Sequence, residues 1–198
     1  MSEPAYVTLA FFKESMGILD DDRDEQLQQR LDAASRGVDS HCGRRFHLDD
    51  IPAPRTLRIA RRVVVDQDGP RLLIPDIGTT TGLVVELGRP GAWRDITTEV
   101  EPIRDHDDDQ TWPYTSLARP GGWHAAPGTR ARITARWGWP AIPTAVEMAT
   151  VLQASRLWNR RNSPEGITGS AEWGGMRLTR VDPDVGMQLQ RLVLPAFA

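Results

Sequence analysis

The residues that could do chemistry begin with a cysteine between two histidines. His41, Cys42 and His47 lie within seven residues, and imidazole nitrogen and thiolate sulfur are ligands that zinc prefers. Cys42 is the only cysteine in the chain, so no second sulfur can complete a sulfur-rich tetrahedral site and no disulfide can form within the chain. We therefore interpret Cys42 as a small core residue and expect no metal here.

A second cluster is acidic. The run Asp105-His106-Asp107-Asp108-Asp109 concentrates carboxylates, and oxygen-rich loops can hold calcium. The run lacks the glycine and the distal bidentate glutamate of an EF-hand loop, so a solvated surface turn is the simpler interpretation. Calcium binding by Asp105–Asp109 stays open at this point.

The sequence lacks the motifs of common enzyme classes. It has no Gly-x-Ser-x-Gly elbow for a nucleophilic serine, and neither of the glycine-rich loops that cradle phosphates. A metal-dependent hydrolase that uses Asp105–Asp109 and His124 is one remaining possibility, and it would require a bound metal. We predict that the chain is not an enzyme and needs no cofactor.

The composition is that of a globular domain. The 198 residues carry a formal net charge of -3 and are 39% hydrophobic, so neither sequence-specific DNA binding nor a membrane is indicated. The longest aliphatic runs, such as Val63-Val64-Val65, are far too short to span a bilayer.

Apolar periodicity predicts helices at both ends of the chain. Thr8 can cap a short helix that ends at Gly17, and Asp20–Asp22 can cap a longer one. The buried face of this second helix should comprise Leu27, Leu31, Ala34, Val38 and Cys42. A third helix is predicted over Thr144–Arg161, and a fourth begins at Asp182-Pro183, an N-cap followed by proline.

Between the helical segments the pattern changes to that of β structure. Short segments rich in β-branched residues alternate with turns that contain Gly and Pro. The predicted strands are Thr56–Val65, Leu72–Ile74, Leu83–Leu87, Ile96–Val100 and Ala131–Trp137. We therefore predict an α+β fold: a small helical bundle formed by residues 1–50 and 139–198, with an inserted antiparallel β unit at 51–138.

The predicted helix Thr144–Arg161 is apolar around most of its circumference. A helix on one core usually shows an apolar arc a little wider than about 100°, so this helix should pack on more than one side. Either it is the central helix of a single core, or a second face meets a neighbouring copy.

The seven tryptophans fall into two groups. The pattern assigns Trp137, Trp139 and Trp158 to the core. Predicted loops carry the others, which could anchor an interface: Trp93, Trp112, Trp123 and Trp173. Trp173 is the most prominent, because it lies in the Gly-rich loop that follows the central helix. Our candidates for partner contacts are Trp158, Arg160, Arg161, Glu172, Trp173 and Phe197.

Five segments are distinctive in combination: Tyr6–Leu9, Ala33–Phe46, Ala135–Pro143, Gln153–Gly166 and Asp182–Val185. Together they resemble the head-tail connector (adaptor) proteins of tailed bacteriophages, in the version found in phages of actinobacteria. The resemblance covers nearly all of the helical part and is weaker over the β insert.

This resemblance implies a structural virion protein of the phage neck, made in the host cytoplasm. Such a protein forms a homo-oligomeric ring of about twelve copies, a closed heterologous assembly. The implied neighbours are the portal above and a head-completion stopper or tail terminator below, with DNA passing through the channel without sequence-specific binding. The alternative is a free-standing carbohydrate- or peptide-binding module that uses the Trp-rich β insert.

Overall fold

The computed structural model describes residues 3–67, 69–104, 110–123, 126–160 and 183–194. Over these residues it has four α-helices and a seven-stranded antiparallel sheet, which confirms the predicted α+β class. The chain divides into two compact units. Met1–Arg45 and Ile142–Ala198 form the helical unit, and Phe46–Ala141 forms the β unit.

The first helix, α1, covers Leu9–Met16 and confirms the predicted capping. The Phe11 amide donates a hydrogen bond to Thr8 Oγ1 at 3.3 Å, and Gly17 ends the helix in the left-handed conformation at φ 65°. These two residues define α1 because each satisfies backbone groups that a helix end leaves unpaired.

The second helix, α2, covers Asp24–Cys42, and Gly43 ends it in the same left-handed conformation. Its predicted apolar stripe is confirmed, since all five members are at most 2% exposed. The predicted aspartate cap is wrong. Arg23 occupies the N-cap position without a capping side-chain hydrogen bond, because the Asp21 carboxylate pairs with Lys13 instead.

The helical unit is completed by α3, Thr144–Asn159, and α4, Pro183–Leu189, which continues as a 3-10 turn over Gln190–Leu192. The α3 helix packs against the other three helices, and among its residues only Thr144, Met148 and Asn159 are exposed. Its wide apolar circumference is therefore used inside the subunit, which favours the single-core alternative. Over the described residues, no helix combines the length and apolarity needed to cross a bilayer.

The strands of the β unit are β1 Ala53–Arg58, β2 Val63–Asp66, β3 Gly69–Arg89, β4 Ala92–Asp95, β5 Glu101–Arg104, β6 Tyr114–Ala118 and β7 Arg130–Trp137. Their order is β1-β7-β3-β6-β5, and β2 and β4 also pair with β3. The strands at the two ends of this order each carry a proline, Pro54 in β1 and Pro102 in β5, which removes a backbone donor from each.

One long strand replaces the two that the sequence predicts at Leu72–Ile74 and Leu83–Leu87. No turn separates them: Gly78, which falls between the two predicted strands, lies inside β3, where a Cβ would come 2.5 Å from Leu48 Cδ1 and 2.9 Å from the carbonyl carbon of Trp139. The glycine marks a close approach of two chain segments rather than a turn. Register shifts flank Ile77, where β3 passes from pairing with β6 to pairing with β7, and irregularities of this kind bend a strand.

Three further predictions in the β unit are wrong. The single strand predicted over Thr56–Val65 is two strands, β1 and β2, separated by residues 59–62. The segment Ile96–Val100 holds a 3-10 turn over Thr97–Glu99, because the Asp95 carboxylate accepts hydrogen bonds from the Thr97 amide at 2.8 Å and its hydroxyl at 2.6 Å. Trp123, predicted as a loop anchor, is a core residue at 4% exposure whose Nε1 donates to the Leu117 carbonyl at 3.1 Å.

The chain leaves the β unit through a buried aromatic junction. Trp139 is 2% exposed, its Nε1 donates to Asp76 Oδ2 at 2.9 Å, and its ring lies 5.1 Å from that of Phe46 and 5.0 Å from that of Trp112. Gly138 approaches the chain so closely that a Cβ would lie 1.8 Å from the His47 carbonyl oxygen. The bend of β3 and the exit of the chain therefore meet at one place.

We predict that Gly78→Ala lowers the free energy of unfolding by about 1–3 kcal/mol, because the new methyl group meets backbone atoms that cannot move independently. Urea unfolding measures the change. Gly37→Ala in α2 is the matched control: it has open space around it and should be neutral or stabilising by about 0.5–1 kcal/mol. Equal stabilities of the two variants would contradict the close approach at Gly78.

Candidate functional site

Cys42 has the environment of a core residue rather than a metal ligand. Its side chain is fully buried, and burial raises the pKa of its thiol to about 11. Metals and electrophiles react with thiolate, which such a thiol does not supply at neutral pH. Within the described ranges no three His, Cys, Asp or Glu side chains converge on a possible metal position. Asp105–Asp109 and His124 lie outside those ranges, so calcium binding and the hydrolase stay untested hypotheses.

The structure describes two of the six residues predicted to contact a partner. Trp158 is 5% exposed and packs in the core of the helical unit, whereas Arg160 is exposed just beyond the end of α3. The other four lie outside the described residues: Arg161, Glu172, Trp173 and Phe197. Because four of the six are not described, the structure does not test whether these residues share one surface, and their interface role stays a prediction.

An exposed corner of the helical unit combines a leucine with three aspartates. Leu19, between α1 and α2, is 97% exposed, and the following residues Asp20, Asp21 and Asp22 are also exposed. We call Leu19–Asp22 the acidic corner. The periodicity of the flanking helices does not predict it, because it lies between them.

Lys13 ties this corner to α1. Its Nζ lies 2.5 Å from Asp21 Oδ1 and 2.6 Å from Asp24 Oδ1. The hydrogen bond from Lys13 holds the pKa of Asp21 below its usual range, and the hydrogen bond to Asp21 raises the pKa of Lys13. Among the described residues no ion pair involves Asp20 or Asp22, so their charges face solvent.

The β unit carries an apolar groove of about 570 Å³ between the β2–β3 hairpin and the segment that precedes β7. Its apolar lining includes Ile59, Val63, Val65, Trp123 and Pro127. Ile59 and Trp123 also belong to the core, while Val65 is 76% exposed. We call this feature the β-unit groove.

Arginines lie in the β-unit groove or next to its lining residues along the chain. Arg61 lines it, Arg58 and Arg130 each adjoin a lining residue, and the Arg89 Nη2 donates to the Pro127 carbonyl at 2.5 Å. We call Arg58, Arg61, Arg89 and Arg130 the arginine rim. In the part of the chain that the structure describes, no carboxylate pairs with any of them.

Two features of the arginine rim are costly for the isolated subunit. Arg58 and Arg130 lie directly opposite each other on β1 and β7, an arrangement that is unfavourable for like charges. Arg61 has φ 68° and is the only non-glycine residue with positive φ among those described. That conformation costs about 1–2 kcal/mol for an L-residue. Groups held at such a cost are candidates for function.

Arg132, also on the sheet, differs from the arginine rim because a carboxylate of the same subunit pairs with it. Arg132 donates from Nε and Nη2 to the two carboxylate oxygens of Glu86, both at 2.5 Å, and its guanidinium lies 4.6 Å from the Trp93 ring centroid. The hydrogen bond from Arg132 lowers the pKa of Glu86. This bidentate ion pair leaves Arg132 few hydrogen-bond donors for a partner chain, whereas the described residues provide no such ion pair for the arginine rim.

We predict that Lys13→Met raises the pKa of Asp21 toward its usual value, because the hydrogen bond that depresses it is lost. NMR titration of the carboxyl carbons measures this. At pH values above the ordinary carboxyl pKa, the depressed pKa of Asp21 adds to the stability of the fold, and this contribution is lost as the pH falls through the depressed pKa. The Lys13→Met variant should lack this contribution and its dependence on pH.

Asp95 is the internal control for the same titration. Its pKa is lowered by the Thr97 hydroxyl and amide, so Lys13→Met should leave it unchanged. An unchanged Asp21 in the variant would show that Lys13 does not hold the acidic corner.

No protein-family model matches the chain, and no curated protein matches it. Among solved structures it is similar to a chain in the neck of an empty GTA particle computed with C6 symmetry, with TM-score 0.58 and 18% identity over 98% of this chain and 92% of that one. It is also similar to a chain in the virion of a native gene transfer agent (GTA) particle, with TM-score 0.54 and 17% identity over the same shares. The chain thus shares its fold, over nearly its whole length, with a chain from such a particle's neck.

Proposed function

We propose that the chain is a structural protein of the neck of a tailed, phage-like particle. The observation that carries the proposal is the fold likeness to a chain of a GTA neck, which extends over 98% of this chain. The head-tail connector resemblance of five sequence segments supports the same function, including its actinobacteriophage version. In this proposal the protein acts through shape and contact area and performs no catalysis.

In the neck, the protein forms a homo-oligomeric ring of about twelve copies, which is a closed heterologous assembly. Its neighbours are the portal on one side and a stopper or tail terminator on the other. The GTA neck was computed with C6 symmetry, and a ring of about twelve is compatible with a sixfold axis. Ring closure requires two unlike, complementary surfaces on each subunit.

DNA passes through the ring without sequence-specific binding. The net charge of -3 suits this role, because a strongly basic lumen would bind the phosphates and hold the DNA back. Ion pairs inside the β unit also offset part of its arginine charge: Glu86 pairs with Arg132, and Arg94 and Arg119 share the single carboxylate of Glu99.

The geometry does not favour the alternative of a carbohydrate- or peptide-binding module. Stacking on a ligand needs an open aromatic face. Three tryptophans of the β unit are buried at 4% exposure or less: Trp123, Trp137 and Trp139. Trp112 packs on Trp139, and Trp93 packs on the guanidinium of Arg132. The described tryptophans therefore serve the subunit itself.

Deletion of the gene, followed by complementation with a tagged wild-type copy, tests the neck function. We expect deletion to leave DNA-filled heads without attached tails, because the junction between them is incomplete. Complementation should restore complete particles. Cryo-electron microscopy of these particles should show a ring of this fold between portal and tail.

The matched control is complementation with Gly37→Ala, which should behave as wild type because its methyl group meets open space. Complete, infectious particles in the deletion strain, or restored particles in which the tagged chain is absent from the neck, would contradict the proposal.

We propose that Trp173 contributes to the partner contacts, together with Arg160, Arg161, Glu172 and Phe197. Trp173→Ala should leave soluble, folded subunits but lower the yield of complete particles in the complementation assay by tenfold or more, since interface tryptophans often contribute about 2 kcal/mol or more. Trp123→Ala is the contrast, because removal of this buried side chain should cost about 3–5 kcal/mol of stability. Loss of the folded subunit in Trp173→Ala would assign that residue to the core.

A further inference from the structure

The acidic corner and the β-unit groove are complementary in both polarity and charge. One combines an exposed leucine with aspartates, and the other combines an apolar lining with arginines. We propose that, in the ring, the acidic corner of one copy docks in the β-unit groove of the next copy. This inference rests on the proposed ring function and specifies which surfaces make the contact between subunits.

The apolar part of the contact is formed by Leu19. Its side chain is 97% exposed, so the fold of the subunit gains nothing from a leucine there. The groove offers Val63 and Val65, and Val65 is itself 76% exposed. An exposed apolar groove with a polar rim is typical of a protein–protein interaction site.

The charged part is formed by Asp20 and Asp22 on one side and by Arg58 and Arg130 on the other. None of these four has an ion-pair partner within the described residues of its own subunit. Two carboxylates placed between Arg58 and Arg130 would relieve the repulsion between these opposed cations. The arginine fork also suits carboxylate geometry, which gives the contact a defined register.

Two considerations favour a second copy over DNA as the occupant of the groove. The described lining of the groove is mostly apolar, with Arg61 as its one charged residue, whereas a duplex presents a continuous row of phosphates. A corner-to-groove contact is also heterologous, since it leaves one corner and one groove free after each addition and so can close into a ring. Docking would keep the arginine rim away from the DNA.

Cysteine pairs test the contact in the full chain. Leu19→Cys combined with Val65→Cys should give, with a short bis-maleimide, a ladder of covalent oligomers beyond the dimer, both in concentrated protein and in particles. Native Cys42 does not compete, because it is buried and its thiol pKa is about 11. Leu19→Cys alone and Val65→Cys alone should give no ladder.

Leu19→Cys combined with Ile51→Cys is the matched control, because Ile51 is 74% exposed but does not line the groove. It should crosslink at least tenfold less. A control ladder of equal strength would mean non-specific collision and overturn the proposal. Dimers alone from the Leu19–Val65 pair would mean a reciprocal exchange between two copies and would overturn the ring contact.

Charge reversal supplies a second readout. Arg58→Glu with Arg130→Glu should lower the crosslinking yield about tenfold, and addition of Asp20→Arg and Asp22→Arg should restore it. Restoration is not expected if the arginines act only through the stability of the β unit. If wild-type protein shifts a DNA duplex and Arg58→Gln with Arg130→Gln abolishes the shift, while no ladder forms, the groove binds DNA and the proposal is overturned.

The outcomes separate this inference from the proposed function. Particles that contain the protein in the neck but show no Leu19–Val65 crosslink would overturn the contact and leave the neck function standing. If concentrated protein gives the ladder but the protein itself is absent from the neck of the particle, the contact is supported and the neck function is overturned.

Discussion

The bend of β3 around Asp76–Gly78 is the constraint on which the β unit depends. This strand pairs with β2, β4, β6 and β7, so its course sets the positions of four others. At the bend, the Asp76 carboxylate accepts a hydrogen bond from Trp139, and the lack of a side chain at Gly78 lets the Trp139 backbone come close. A single buried junction thus couples the middle of the longest strand to the point where the chain leaves the sheet.

The helical unit distributes its apolar surface in a way that limits where partners can bind. Helix α3 packs against α1, α2 and α4 and exposes only three of its residues, so it leaves little surface for a neighbour. Among the described residues, the two most exposed large apolar side chains lie outside α3: Leu19 beside the aspartates and Val65 in the β-unit groove. Contacts between subunits would therefore combine apolar burial with charge pairing, which suits a subunit that must stay soluble before assembly.

The arginines of the β unit form two groups: those that pair with a carboxylate of the same subunit and those for which the described residues show no such pair. Arg132 binds Glu86 with two hydrogen bonds, and Arg94 and Arg119 share Glu99, whose pKa is lowered chiefly by the hydrogen bond from Arg119. The arginine rim has no such partner within the described residues, and it includes an opposed like-charge pair and a strained backbone at Arg61. Paired arginines stabilise the sheet, whereas the unpaired ones are available to a second chain.

Local patterns in the sequence determined the features that depend on neighbouring residues. The helix caps at Thr8, Gly17 and Gly43 depend on residues within one turn of the chain, so these helix ends were predictable. The buried stripe of α2 was predictable because it follows from helical periodicity. Tertiary structure decided the rest. Gly78 lies within a strand because Leu48 and Trp139 approach it from distant segments, and Trp123 is buried because the β unit folds over it. The groove and its rim join β1, β2, β3 and the segment before β7, so their complementarity to the acidic corner arises from contacts that no local pattern records.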